Sequence, residues 1–282
     1  MRPSLSRYFA TALAALLAGC AHAPMSLNYP AAHTVNQVDN YNGVLVADPY
    51  RWLEDDNSPE TKAWVDAENQ LTYSFLDKIP QRPAILARLT KLWNYERYSV
   101  PFKQGGRYFY FKNDGLQNQS VLYTMPSLDA APTLLLDPNQ LSTDGTVALA
   151  DVSISHDGNL LAYGLADAGS DWQVWKIRDV RTGQDLPDVL KWIKFSSPTW
   201  TKDGAGLYYS RFDEPKPGDA LTSVNKLQKI YYHKLGTPQS ADRLVYQRPD
   251  HDDWGFDEAV TDDGHYLIIN VSTGSDQRNR VY

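Results

Sequence analysis

The spacing of apolar residues changes once along this 282-residue chain. Between residues 59 and 93 they step by three and four. Trp64, Ala67, Leu71 and Phe75 form one series, and Ile85, Leu86, Leu89 and Leu92 form another. That spacing puts each series on one side of an amphipathic helix. Ser58 before Pro59 reads as an N-cap with proline at the first helical position. Ile79-Pro80 ends the first helix, and Pro83 opens a second that runs to about Trp93. From Tyr98 onward the period falls to two, the mark of strands. Strands are expected at Tyr108–Phe111, Ser120–Thr124, Thr133–Leu136, Val152–Ile154, Leu160–Leu165 and Trp172–Ile177. The same pattern continues at Ser197–Trp200, Gly206–Arg211, Lys229–His233, Phe256–Val260 and Tyr266–Val271.

A repeated phrase organises these strands. Ser155-His156-Asp157-Gly158 runs into Leu160-Leu161-Ala162-Tyr163. Thr201-Lys202-Asp203-Gly204 runs into Leu207-Tyr208-Tyr209, and Thr261-Asp262-Asp263-Gly264 into Tyr266-Leu267-Ile268-Ile269. A weaker copy, Gly105-Gly106, precedes Arg107-Tyr108-Phe109-Tyr110-Phe111. Gly106, Gly158, Gly204 and Gly264 stand 52, 46 and 60 residues apart. Asp-Gly between apolar runs marks a hairpin, because glycine accepts the positive φ of a tight turn. A hairpin returning every ~40–60 residues is the signature of a β-propeller. The expected fold is mainly β: a partial N-terminal propeller of about three and a half blades after an α-helical segment. Boundaries are expected at 1–19 for a signal peptide, 20–28 for a tether, 29–97 for the helical segment and 98–282 for the propeller. The blades would cover about 98–149, 150–197 and 198–255, with an incomplete one at 256–282.

Composition narrows the function. The chain carries a net charge of −7, which argues against nucleic acid as a partner, since such binding draws on clustered Lys and Arg. The N-terminus adds a location. Arg2 and Arg7 precede an apolar run from Tyr8 to Leu17, as in a secretory signal. Leu17-Ala18-Gly19-Cys20 resembles a bacterial lipoprotein box, which implies cleavage before Cys20 and acylation of that residue. Cys20 is the single cysteine, so no internal disulfide is available to it. Ala21 after the cysteine favours the outer membrane, facing the periplasm, with the lipid as the sole membrane contact.

Candidate chemistry is sparse. No Gly-x-Ser-x-Gly elbow occurs in the sequence. His156 and His265 fall at turns and His233 ends a strand, positions where histidine is usually structural. His251-Asp252-Asp253 with Asp257 offers oxygen and nitrogen donors, but at no recognised metal spacing. Gly169-Ser170-Asp171-Trp172 supplies a hydroxyl and a carboxylate with no partner histidine. No cofactor motif is present.

A family resemblance names a reaction that these residues do not. Asp48-Pro49-Tyr50-Arg51-Trp52-Leu53-Glu54-Asp55 resembles the opening signature of the prolyl oligopeptidases. The likeness continues through Gly115-Leu116-Gln117-Asn118-Gln119-Ser120, Leu136-Asp137-Pro138-Asn139, Gly169-Ser170-Asp171-Trp172, Lys194-Phe195-Ser196 and Tyr231-Tyr232-His233-Lys234-Leu235-Gly236-Thr237. It implies a serine peptidase that cuts proline-containing oligopeptides after proline, with a propeller capping an α/β-hydrolase domain. The family's catalytic Ser, Asp and His lie in a C-terminal half not present among these residues, so this chain alone is expected to be inactive. By the same resemblance Phe195 lines the apolar substrate pocket and Asp171 lies near the substrate entrance. Where the family often presents an Arg and a Cys, this chain has Ser272 and Ser275. The competing expectation is a lipid-anchored propeller without catalysis, either a binding module or an inactive remnant.

Overall fold

The computed structural model describes residues 27–282. The expected leader and Cys20 lie outside the described residues. Two compact units divide at Leu89 and Thr90. The first holds the hairpin β1 (Val38–Tyr41) and β2 (Val44–Ala47), turned by Asn42-Gly43, and a short 3₁₀ turn at Arg51–Glu54. Arg51 is gripped by Asp39 and Asp48. Helix α1 (Pro59–Leu76) starts as its sequence predicts: the Ser58 hydroxyl accepts from the Thr61 amide at 3.0 Å. Helix α2 (Arg82–Trp93) follows. None of its residues is buried, and Ile85, Leu86, Leu89 and Leu92 stand exposed. No described helix is long and apolar enough to cross a membrane.

The second unit is a stack of antiparallel sheets, one per blade of a partial propeller. Blade 1 contains β3 (Arg97–Tyr98), β4 (Phe102–Gln104), β5 (Arg107–Asn113), β6 (Val121–Met125) and β7 (Thr133–Leu136). Blade 2 runs β8 (Val147–Ile154), β9 (Leu160–Asp167), β10 (Gln173–Asp179) and β11 (Asp185–Ile193) in sequential order. Blade 3 repeats this with β12 (Thr199–Trp200), β13 (Gly206–Arg211), β14 (Lys229–Lys234) and β15 (Arg243–Gln247). The last sheet holds β16 (Trp254–Val260), β17 (Leu267–Thr273) and β18 (Arg280–Val281).

The repeated phrase sits in one place in every blade, at the hairpins β4–β5, β8–β9, β12–β13 and β16–β17. Its turn is fixed by more than glycine. Ser155 Oγ donates to Asp157 Oδ1 at 2.6 Å, Asn159 N donates to the same oxygen, and Leu160 N donates to Ser155 Oγ. Thr201 with Asp203 and Thr261 with Asp263 reproduce the arrangement. Gly158, Gly204 and Gly264 supply the left-handed residue, with φ between 69° and 76°. Some strands extend past their sequence signal. β8 begins at Val147, because a bulge between Leu149 and Asp151 breaks the alternation that marks Val152–Ile154.

The core lies between blades. Phe109, Leu122, Leu135 and Leu136 of the first blade pack on Leu161 and Tyr163 of the second. Ala162 turns the opposite way. With Trp175, Ile177, Leu190 and Ile193 it meets Trp200, Leu207 and Tyr209 of the third blade. Ile230 then joins Trp254, Phe256, Ile269 and Val271. A polar seam accompanies this packing. His233, fully buried, bonds to Asp242 Oδ1 at 2.7 Å through Nδ1 and to Asp188 Oδ1 at 3.0 Å through Nε2. The Tyr209 hydroxyl donates to Asp242 and the Gly236 amide to Asp188, so the network ties β11 to blade 3. Burial opposes a charge on His233, but the two carboxylates outweigh it and hold its pKa above the usual 6.5.

Two outcomes follow. A Cβ on Gly164 would lie 2.6 Å from Trp175 Cε2, so Gly164→Ala should destabilise the fold by about 1–3 kcal/mol, read as a lower midpoint in urea. His233→Gln leaves two buried carboxylates without their cation and should cost on the order of 3 kcal/mol near pH 6. A raised folded pKa means that the histidine's contribution is complete below about 6.5, its unfolded value, and is lost as pH rises through the folded pKa. The stability gap between parent and variant should therefore be widest below about pH 6.5 and narrow as the pH rises above it.

Candidate active-site face of the propeller

Four loops converge on β16 and β17 of the last sheet. They enclose a cavity of about 270 Å³ whose walls include Phe195, Phe212, Trp254 and Phe256. Its polar lining comes from Asn225, Gln228, Asp253, Asp257 and Ser272. Phe195 is thus at the cavity and is 67% exposed, although its neighbours Lys194 and Ser196 are both buried.

The backbone explains how an apolar ring is held in the open. Phe195 has φ 58°, and Trp192, three residues earlier, has φ 65°. Left-handed conformations of bulky residues cost of order 1–3 kcal/mol each and persist only when the surroundings enforce them. Here they do. The Phe212 amide donates to Trp192 O at 3.0 Å, and Ser196 Oγ donates to Ser210 O at 3.1 Å. One buried amide, Gln228, joins the remaining walls: its Oε1 accepts from Phe256 N at 2.6 Å, and its Nε2 reaches Lys194 O at 3.4 Å. Just before it Leu227, also left-handed at φ 58°, donates its amide to Asp252 O.

Behind Phe195 the alternation sends Lys194 inward. Its Nζ lies 3.9 Å from the Trp172 ring centroid, and that indole meets Trp192 and Phe212 edge-on. Trp172 Nε1 also donates to Ala220 O at 2.6 Å, anchoring the loop after β13. Burial lowers the Lys194 pKa, and the Asp171 charge opposes that fall. Asp171 is exposed and does not line the cavity; its charge acts on Lys194, the residue before Phe195. Ser272 lines the cavity and Ser275 does not.

The charges at this face are unevenly paired. Asp252 holds Lys226 at 2.7 Å. His251 stacks on Trp254 at 4.0 Å, and Arg248 and Arg280 each lie 4.6 Å from that indole's ring centroid. Asp253 and Asp257 receive no side-chain hydrogen bond or ion pair among the described residues. Burial raises the pKa of Asp257, with no compensating partner. Next along the strand, Glu258 points into the interior, where Ser210 Oγ donates to its Oε2 at 2.5 Å while its Oε1 bonds nothing. Its pKa is pushed up to about 8 by burial, which the Ser210 hydrogen bond opposes and the charge of neighbouring Asp257 reinforces, so it is largely neutral at pH 7. Among the described residues no three His, Cys, Asp or Glu side chains are placed to hold a metal.

Sequence reasoning reached Phe195 and Asp171 through the resemblance but missed Gln228, Phe212 and Trp254. Gln228 and Phe212 stand in loops with no periodic pattern, and Trp254 opens β16 ahead of the expected strand start at Phe256. The one available signal was the length of the loop that carries Pro215, Pro217 and Gly218.

Comparison with known proteins places this geometry. Residues 29–282 match the family described as prolyl oligopeptidase, N-terminal beta-propeller domain. The chain is 41% identical to the prolyl endopeptidase of Elizabethkingia miricola over 257 residues, covering 91% of this chain and 36% of that protein. Prolyl oligopeptidase A of Galerina marginata is 35% identical over 285 residues, covering 90% of this chain and 38% of its own length. The solved structure of prolyl oligopeptidase B from Galerina marginata, bound to a 35-residue hydrolysis and macrocyclization substrate, superposes with a TM-score of 0.75 at 31% identity. That superposition covers 90% of this chain and 38% of the Galerina protein. The chain therefore spans well under half the length of the relatives it matches, and in that span it belongs to the prolyl oligopeptidase family, as the N-terminal β-propeller part.

Proposed function

We propose that the chain is the propeller-bearing portion of a serine endopeptidase that hydrolyses oligopeptides on the carboxyl side of proline. The observation that carries this reading is the 41% identity to a prolyl endopeptidase across 91% of the chain. In the complete enzyme a serine, activated by histidine and oriented by aspartate, would attack the prolyl carbonyl. Hydrogen-bond donors would stabilise the oxyanion, and water would release the acyl group. Those side chains would come from a hydrolase domain outside these 282 residues, and without them no acceleration is expected. The bare apolar side of α2 supports such a domain, since Ile85, Leu86, Leu89 and Leu92 are uncovered among the described residues.

Within this portion the propeller would restrict access to short peptides, Phe195 would form part of the apolar substrate wall, and Asp171 would flank the entrance. Backbone strain supports the first role. An exposed phenylalanine in a left-handed conformation stabilises nothing by burial, and enforced strain of this kind concentrates at functional positions. The N-terminal sequence supports export, with anchoring at the outer membrane through acylated Cys20, so that peptides would be processed in the periplasm.

Two measurements check this. An antibody raised against residues 100–250 should detect, in the native cells, a product much longer than 282 residues. That product should cleave Gly-Pro reporters and spare Gly-Ala analogues by at least ~100-fold. A stable product of this length with no cleavage would favour a non-catalytic binding propeller instead. In the full enzyme, Phe195→Asn should leave stability unchanged or raise it by about 1 kcal/mol, because asparagine tolerates the left-handed region. It should nonetheless lower kcat/KM several-fold.

A further inference from the structure

The cavity beside Phe195 has a charge as well as a shape. Its lining holds two carboxylates, Asp253 and Asp257, and no lysine, arginine or histidine. The cations nearby are committed elsewhere. Lys226 is held by Asp252, Lys194 lies under Trp172, and Arg248 is bound by Asp250 while resting on Trp254. Arg280 rests on the same indole. The loop from Asp252 to Asp253 therefore turns one carboxylate to a protein cation and leaves the other at the cavity. Asp257 is the more telling of the two. It comes from β16, a rigid strand whose register with β17 is unbroken from Trp254 to Val260. Its side chain is exposed, on the strand face opposite Trp254 and Phe256, and no side chain pairs with it among the described residues, while Phe195 and Phe212 also line the cavity. Ser272, a small neutral hydroxyl, also lines the cavity. An unpaired carboxylate at a cavity lined by aromatic residues offers an ammonium or guanidinium group an ion pair, with cation–π contact available at the neighbouring rings.

Building on the proline-peptidase reading, we propose that Asp257, with Asp253, is a specificity determinant. It selects peptides that carry a positive charge on the residues preceding the proline, received in the cavity walled by Phe195, Trp254 and Phe256. The charge has two sources with one chemistry: the free α-ammonium group of a short peptide, or a Lys or Arg side chain.

The test reads binding without cleavage, so that its result is independent of whether the complete enzyme cuts after proline. The 282-residue chain is titrated with three amidated tripeptides, followed by tryptophan fluorescence and calorimetry. Acetyl-norleucyl-alanyl-proline amide is neutral, acetyl-lysyl-alanyl-proline amide carries a side-chain ammonium, and norleucyl-alanyl-proline amide carries an α-ammonium. At least one charged peptide should bind ~10-fold more tightly than the neutral one at low salt, a preference that sodium chloride weakens. The arm that shows it identifies the source. Asp257→Asn should bring the ratio close to one, and Ser272→Arg, a separate variant that adds a cation, should reverse it. Equal binding of all three peptides, no binding at millimolar concentration, or a preference that survives in Asp257→Asn and Ser272→Arg would overturn the assignment. Failure of the complete enzyme to cut after proline would count against the peptidase reading alone.

Discussion

Face-to-face packing of sheets is the constraint on which the rest of this chain depends. A blade in the middle of the stack must be apolar on both faces, and β9 shows how one strand meets that demand. Leu161 and Tyr163 face the first blade, while Ala162 and Gly164 face the third and leave room for Trp175. Because successive side chains of a strand alternate, each middle strand contributes to two separate cores. The polar groups trapped between the sheets are arranged to match. His233 spans Asp188 and Asp242, and Trp200 Nε1 donates to Ser153 O across the same seam.

The candidate site is built where this regular packing gives way to loops. The segment from Trp192 to Phe195 and the turn at Leu227 adopt left-handed geometry, and the surrounding hydrogen bonds enforce it. Rigid strands supply the floor of the cavity through Trp254, Phe256 and Asp257, and strained loops supply the wall that carries Phe195. This division, a firm scaffold bearing irregular loops, is how a repetitive fold acquires a particular site. It also explains why the exposed phenylalanine and the unpaired carboxylates face the same space: neither would be tolerated in the inter-blade cores.

Much of the fold was legible in the sequence, for identifiable reasons. Ser58-Pro59 and the three-and-four stepping of α1 are local signals with local causes, as are the Asp-Gly turns. The Ser or Thr two residues before each turn aspartate belonged to the same signal. The outer strands β11 and β15 were harder to see, because edge strands such as Asp185–Ile193 carry polar residues and Pro187 on their open side. The site was legible only in part. Phe195 and Asp171 came from resemblance, and their surroundings depend on contacts across long sequence separations. Gln228 meets Lys194 and Phe256 from 34 and 28 residues away, and Ser210 meets Glu258 across 48. No local pattern encodes such pairs, so the burial of Glu258 and the openness of Asp257, adjacent residues on one strand, could not be told apart beforehand.

The central claim is that the seam around Phe195 is where this propeller meets a proline-containing peptide. Hydrogen exchange of the chain with and without a saturating proline tripeptide tests it most directly. The account predicts added protection confined to residues 192–196, 212–228 and 254–257, with the blade 1 and blade 2 strands unchanged. Protection elsewhere, or none in those three segments, would contradict it.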